Sequence, residues 1–454
     1  MSFIQEEGRD LKNIFNRFRK RDFSGTTGEA IKNSSYQLAQ NLIFKFGSLL
    51  FMVFMARILL PDLMGIYSLA LTTIVLFSSF SDLGISTALF RFVAKLTGQG
   101  DNRKAKAYFK KLLKWKIYLL GVVSFVLLLS SYLIAEFYAP KPIFYALLVG
   151  ALYLPFVSFV GFLETIFKAT GDFKHPLIKE IIFQSLRFTL VPFVILLLLK
   201  IELPIKFLIA IILLLLAFCY FIIIIILLFI SRKKIYFLKE KGVELDEGEI
   251  TGLKKFILPL VIMALSGVFF GYIDIIMLGH FVESKFIAYY GTAFALIGSA
   301  ASIIGFAPLA LFPIFSKTKG ILLESIFRKS RNFVLLISLL AGVFTYFLAH
   351  QIIKIIYGSA YLTAAPILRW FAILIIILPI ISLYDQYIIS QNKTSIVAKL
   401  VVVTTLINVG LNIVFIMYGL SVAGQIGGVY GAVFATIISR FIYFAGVLFY
   451  RKRY

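Results

Sequence analysis

Apolar runs of about twenty residues recur along almost the whole chain, separated by short polar stretches. At 1.5 Å per residue each run can cross a hydrocarbon core of roughly 30 Å. The pattern predicts spans over 35–60, 64–90, 112–137, 143–167, 178–199 and 204–230. After a long polar connection six more follow, over 256–279, 286–312, 333–357, 362–390, 396–418 and 429–450. The fold class is therefore all-α, a polytopic membrane protein of about 12 transmembrane helices in two six-helix lobes. Residues 1–34 read as a cytoplasmic amphipathic segment, 35–231 as the first lobe, 232–253 as a cytoplasmic linker and 254–454 as the second lobe with a basic C-terminus.

Composition strengthens this reading, because 60% of the 454 residues are hydrophobic, well above the half expected of a soluble domain. The formal charge of +24 does not point to nucleic acid, since the basic residues sit between the apolar runs and not on one compact face. Most of the 46 Lys and Arg fall in alternate connections, such as 95–111, 168–179, 232–255 and 317–331. The positive-inside rule then places both termini in the cytoplasm of a multi-pass cell-membrane protein. No secretory leader precedes the first run, so the first helix is expected to be retained. Ahead of it, Leu11, Ile14, Phe15 and Phe18 recur at helical spacing among basic residues, a surface helix for an anionic leaflet. A faint repeat relates 65–70 (Gly-Ile-Tyr-Ser-Leu-Ala) after the first span to 288–293 (Ala-Tyr-Tyr-Gly-Thr-Ala) after the seventh. Six spans per half make such repeats parallel.

Polar residues inside spans are expensive and mark candidate function. Gln37, Asn41, Lys45 and Ser48 share one face of the first span, with Lys45 near mid-depth. A central anion site explains that lysine, and a partner on a neighbouring helix is the other explanation. Glu180, Gln184 and Arg187 repeat the device in the fifth span. In the second half, Asn408 and Asn412 share a face of the eleventh span, Thr436 and Arg440 lie one turn apart in the twelfth, and Arg369 sits in the outer third of the tenth. Inward cations from both halves suit a diphosphate, which a guanidinium grips through two oxygens; snorkelling or an internal ion pair is the alternative for Arg369 and Arg440. Arg57 and Arg91 lie near interfaces, and their spacing reads as anchoring. Asp82, Glu164, Asp274 and Asp385 are the carboxylates within spans. Each can bind a coupling H+ or Na+ or neutralise a neighbouring cation, and Asp274 leads for coupling.

His175, His280 and His350 have no companion at metal-ligand spacing, and Cys219 is alone, so no metal site and no cofactor are expected. There is no phosphate-cradling glycine loop and no nucleophile elbow, so no enzyme is expected either.

Residues 56–67 (ARILLPDLMGIY), followed by Asp82-Leu83-Gly84 and Arg91, resemble the opening of Wzx-type polysaccharide flippases. Further matches are Lys168-Ala169-Thr170-Gly171, Tyr290-Gly291 with Phe312-Pro313, Asn408-Val409-Gly410-Leu411-Asn412, and residues 427–432 (GGVYGA). The resemblance implies the multidrug/oligosaccharidyl-lipid/polysaccharide exporter fold, with its two lobes in a V that alternates between inward-open and outward-open states. It implies a polyprenyl-diphosphate-linked oligosaccharide as cargo, membrane lipids as surroundings and contact with glycan assembly enzymes. It raises Arg57 and Arg91 to candidate functional or gating residues and supports Lys45 as a cavity cation. An ion-coupled drug exporter of the related MATE branch and a membrane-embedded glycan polymerase or acyltransferase are the rival readings.

Overall fold

The computed structural model describes residues 25–201, 204–391 and 393–452, so the amphipathic pattern at Leu11 to Phe18 lies outside the described residues. The helices are α1 (Gly25–Phe80), α2 (Ile85–Gly98), α3 (Asn102–Phe137), α4 (Phe144–Ala169), α5 (Lys174–Lys200), α6 (Ile205–Lys234), α7 (Glu247–Phe281), α8 (Ser284–Lys317), α9 (Gly320–Ile356), α10 (Ala364–Ser390) and α11 (Thr394–Lys452). Nine described segments are long and apolar enough to cross a membrane. Two of them are double-length and break internally: α1 at Leu60, and α11 at Ala423 and Gly424. With α7, whose far part Gly271–Phe281 is apolar, they make twelve crossings.

The breaks have local causes. Leu60 takes φ 57° immediately before Pro61, whose ring disfavours helical geometry in the residue before it. Gly424, at φ 61°, supplies the left-handed residue that turns α11 back on itself. The hairpin so formed is tight: a Cβ built on Gly427 would lie 2.0 Å from the Gly419 carbonyl oxygen, and one on Gly431 2.2 Å from that of Phe415. Only glycine permits backbones to pack so closely.

Two of the boundaries that differ from those the hydrophobic pattern predicts have local backbone causes. The second span ends at Phe80, where Ser81–Gly84 form a turn before α2, because Gly84 is left-handed at φ 82°. The polar connection is shorter than 232–253, since α7 already begins at Glu247 under a capping box formed by Asp246 and Glu249.

Connections alternate between two faces of the bundle; the face where α1 begins is here the near face. Toward the far face one continuous core contains residues from both halves, among them Met55, Leu59 and Leu127 from the first and Leu278, Tyr357 and Tyr361 from the second. Toward the near face the core divides. Ile85, Leu112, Phe162 and Phe237 pack within the first half, and Phe315, Phe327, Tyr384 and Val447 within the second. The two halves thus join at the far face and part at the near face, which is a V. α7 bridges the arms, for Leu253 at its start is buried in the first half's core and Leu278 at its end lies in the shared core. α3 and α9 are the outermost helices, each only 22% buried over its apolar window, and they present Phe125, Leu129, Phe344 and Phe347 outward as a lipid-facing surface does.

Candidate functional site

The parting of the halves leaves a cavity of about 540 Å³ between α1, α8 and α10, lined by Asn41, Phe44 and Lys45 from the first half and by Ser302, Phe306 and Ser382 from the second. Gly298 and Gly305 on α8 also face it and add no side chain to the space. Lys45 stands about midway between the start of the span at Lys32 and the break at Leu60, and it is exposed to the cavity. Among the described residues it has no hydrogen-bond or ion-pair partner. The cavity therefore combines one uncompensated positive charge with the amide of Asn41 and two hydroxyls.

Several other charged side chains of the first half have polar partners. Glu164 accepts from Gln40 at 2.6 Å and pairs with Lys168 at 2.6 Å and Lys179 at 2.9 Å. Lys179 continues to Glu180 at 2.8 Å, the Gln184 amide donates to Glu180 at 2.7 Å, and Arg187 donates to Gln184 at 2.5 Å. This polar ladder climbs α5 against α1, where Gly47 leaves room for Gln184: a Cβ there would meet its Cδ at 2.5 Å. At its top the Arg187 guanidinium lies over the Phe51 ring at 4.3 Å, so Arg187 points into the interior of the first half. Asp82 pairs with Lys116 at 2.8 Å, and Ser158 also accepts from that ammonium at 2.7 Å.

Lys116 is absent from the residues the sequence singled out although it lies inside the span expected over 112–137, because it continues the basic run of Lys110, Lys111 and Lys114. Its side chain is nonetheless 1% exposed. Its signal was periodicity, since Tyr108, Leu112, Lys116, Leu120, Val123 and Leu127 form one buried stripe at helical spacing.

In the second half the focus is Asp274, 3% exposed on α7. One of its carboxylate oxygens accepts from Asn412 at 2.6 Å, and the other accepts from Tyr290 at 2.7 Å and Thr436 at 2.6 Å. Asn412 also donates to the Asn408 carbonyl at 3.0 Å, and Asn408 to Ser439 at 3.1 Å. The side-chain carbonyl oxygens of Asn408 and Asn412 are buried with no hydrogen-bond donor among the described residues. Arg440 lies within electrostatic reach of Asp274 and of Asp385, whose carboxylate accepts from Tyr443 at 2.9 Å. The sequence placed Asn408 and Asn412 on one span and Thr436 and Asp274 on two others, and the fold brings them together with Tyr290.

The remaining candidates lie apart from both places. The Arg57 Nε donates to the Ile356 carbonyl at 2.8 Å and its Nη2 donates to that of Ile355, at the far face. Arg91 lies over the Phe256 ring at 4.4 Å near the start of α7. Arg369 is exposed on α10 beside Trp370, which packs on Phe434 at 5.1 Å. Among the described residues no group of three or more His, Cys, Asp or Glu could hold a metal ion.

Residues 30–319 match the family model described as "Polysaccharide biosynthesis protein". No curated protein matches the chain in sequence. Among solved structures, an inward-facing multidrug resistance MATE family transporter of the MOP superfamily superposes with a TM-score of 0.69 at 14% identity, covering 90% of this chain and 93% of its own. The lipid II flippase MurJ in an inward closed conformation gives 0.67 at 16% identity, over 92% of this chain and 87% of its own. An outward-facing MATE family transporter gives 0.55 at 14% identity, over 95% and 96%. The fold is the one these transporters share.

Proposed function

The chain belongs to the polysaccharide biosynthesis protein family, a family of MOP-superfamily membrane transporters, and from that premise we propose that it flips a polyprenyl-diphosphate-linked oligosaccharide from the cytoplasmic to the outer leaflet. The observation that carries this reading is Lys45, an uncompensated cation at mid-depth in a cavity between two halves that part on the near face. A cation held within a membrane span without a counter-ion is costly, so a cavity that keeps one fits a ligand that brings the opposite charge. The diphosphate of the carrier does so. Asn41, Ser302 and Ser382 offer the mixed donors and acceptors that sugar hydroxyls require. The near face, where the basic connections cluster, is the cytoplasmic one, and the lipid tail stays in the bilayer while the glycan passes.

In the same reading Asp274 is the coupling site. Its carboxylate stands beside two buried amide oxygens that lack donors, an acceptor set that favours H+ or Na+ over an anion. A drug exporter for cations is disfavoured, because the charge in the cavity is positive.

The test is translocation of a fluorescent polyprenyl-diphosphate oligosaccharide in proteoliposomes, with and without an ion gradient, beside a cationic dye. Glycolipid movement that the dye does not share is expected. Dye export without glycolipid movement would overturn the reading.

A further inference from the structure

At the far face two basic side chains cross between the halves in the same way. Arg57, near the end of α1's first segment, donates through Nε to the Ile356 carbonyl at 2.8 Å, and through Nη2 to that of Ile355; these residues end α9. His280, near the end of α7, places its Nδ1 2.9 Å from the carbonyl of Phe137, which ends α3, and its ring lies on the Phe137 ring at 4.3 Å and 17°. The last carbonyls of a helix have no intrahelical donor and carry partial negative charge, so a cation is favoured there. The repeat that aligns Gly65 with Ala288 aligns Arg57 with His280, each eight residues ahead of it. α3 and α9 are the third crossings of their halves. Each half therefore extends a basic group from its first crossing onto the end of the other half's third.

We propose that Arg57 and His280 form a reciprocal latch that holds the far face shut, with one permanent arm and one arm that protons strengthen. A guanidinium keeps its charge at every accessible pH, whereas an imidazole gains or loses its charge between about pH 5 and 8. Either charge state of His280 can donate to Phe137, but only the protonated one adds a cation to the end of α3. Opening the far face removes the carbonyl, so protonation selects the closed state. Asp62, Lys141 and Glu283 line the same recess as His280, Lys285 pairs with Glu283 at 2.9 Å, and Glu136 precedes Phe137. Acid at the far face thus slows opening whatever the cargo is, and the latch stands or falls independently of the glycolipid reading.

The test is a distance measurement between spin labels on α3 and after α9, at Tyr132→Cys and Ala360→Cys in a Cys219→Ala background, in lipid nanodiscs from pH 8 to pH 5. The ratio of short to long distances is expected to rise about two- to five-fold on acidification, the worth of one cation at a helix end. His280→Phe, which keeps a ring on Phe137, is expected to abolish that response, and His280→Arg to hold the short distance at every pH. Arg57→Gln is expected to lower the closed fraction throughout and leave the pH response in place. A His280→Phe protein that titrates like its parent, a parent ratio that stays level or falls in acid, or an Arg57→Gln protein as closed as its parent each overturns the latch.

Discussion

The two halves handle buried charge in opposite ways. The first sets cation against carboxylate, in Lys116 with Asp82 and in the ladder from Lys168 to Glu180, and leaves Lys45 facing the cavity with no counter-ion among the described residues. The second gives one carboxylate, Asp274, hydrogen bonds from the neutral donors of Asn412, Tyr290 and Thr436, with Arg440 within electrostatic reach. Ion pairs tie the first half's helices together. A carboxylate held by neutral groups can exchange its neighbours for a cation. In the proposed function the first half takes the cargo's anion and the second the driving ion.

This contrast can be broken, and the largest expected effect is on stability. Asp82→Ala strands the Lys116 ammonium in the interior and is expected to cost about 3 kcal/mol, whereas Lys116→Met combined with Asp82→Asn is expected to be near neutral. Thermal unfolding in detergent compares them, and equal losses in both proteins would show that the pair is not what matters. Next comes Lys45→Ala, expected to slow glycolipid translocation by about 10- to 100-fold, the worth of a charge-assisted bond to phosphate, with an unchanged unfolding midpoint. Wild-type turnover in that protein would remove the cargo from the first half. Asp274→Asn keeps the side chain's shape and is expected to cost no more than about 1 kcal/mol in stability while making transport indifferent to an imposed ion gradient. Transport that still follows the gradient would move coupling elsewhere.

The smallest effect concerns Lys141, in the loop between α3 and α4. Burial lowers the pKa of its ammonium below the ordinary lysine range, partly offset by Glu283. A lysine depressed in the folded state penalises folding while it is protonated. Stability should therefore rise as pH climbs from the folded value to the ordinary one near 10.4. Lys141→Met is expected to be the more stable protein at neutral pH and to lose that advantage above pH ~10.5. An advantage that persists there would trace to packing and not to charge.

The helices were legible in the sequence because lipid imposes one rule on every span, and the pattern errs only where a backbone feature intervenes, as at Gly84 and at the capping box of α7. The faces of polar residues were legible too, since Gln37, Asn41 and Lys45 needed only the helical repeat. Partners were not. Glu164 and Lys179 lie on successive helices, Asp274 and Thr436 are separated by most of the second half, and nothing in a single span's periodicity says which neighbour it will meet. Lys116 shows the limit most clearly, because a basic residue at a helix end is the commonest of signals and its burial depends wholly on what packs over it.

The glycine contacts inside α11 give this scaffold a stiff spar. Its two segments touch backbone to backbone at Gly419, Gly427 and Gly431, with no side chains between them to roll or shear. One segment carries Asn408 and Asn412 and the other Thr436 and Arg440, so a push delivered to either is transmitted to both without slack. Around Asp274 the play must then come from α7 and α8, and a single methyl added at Gly427 would loosen a joint built to have none.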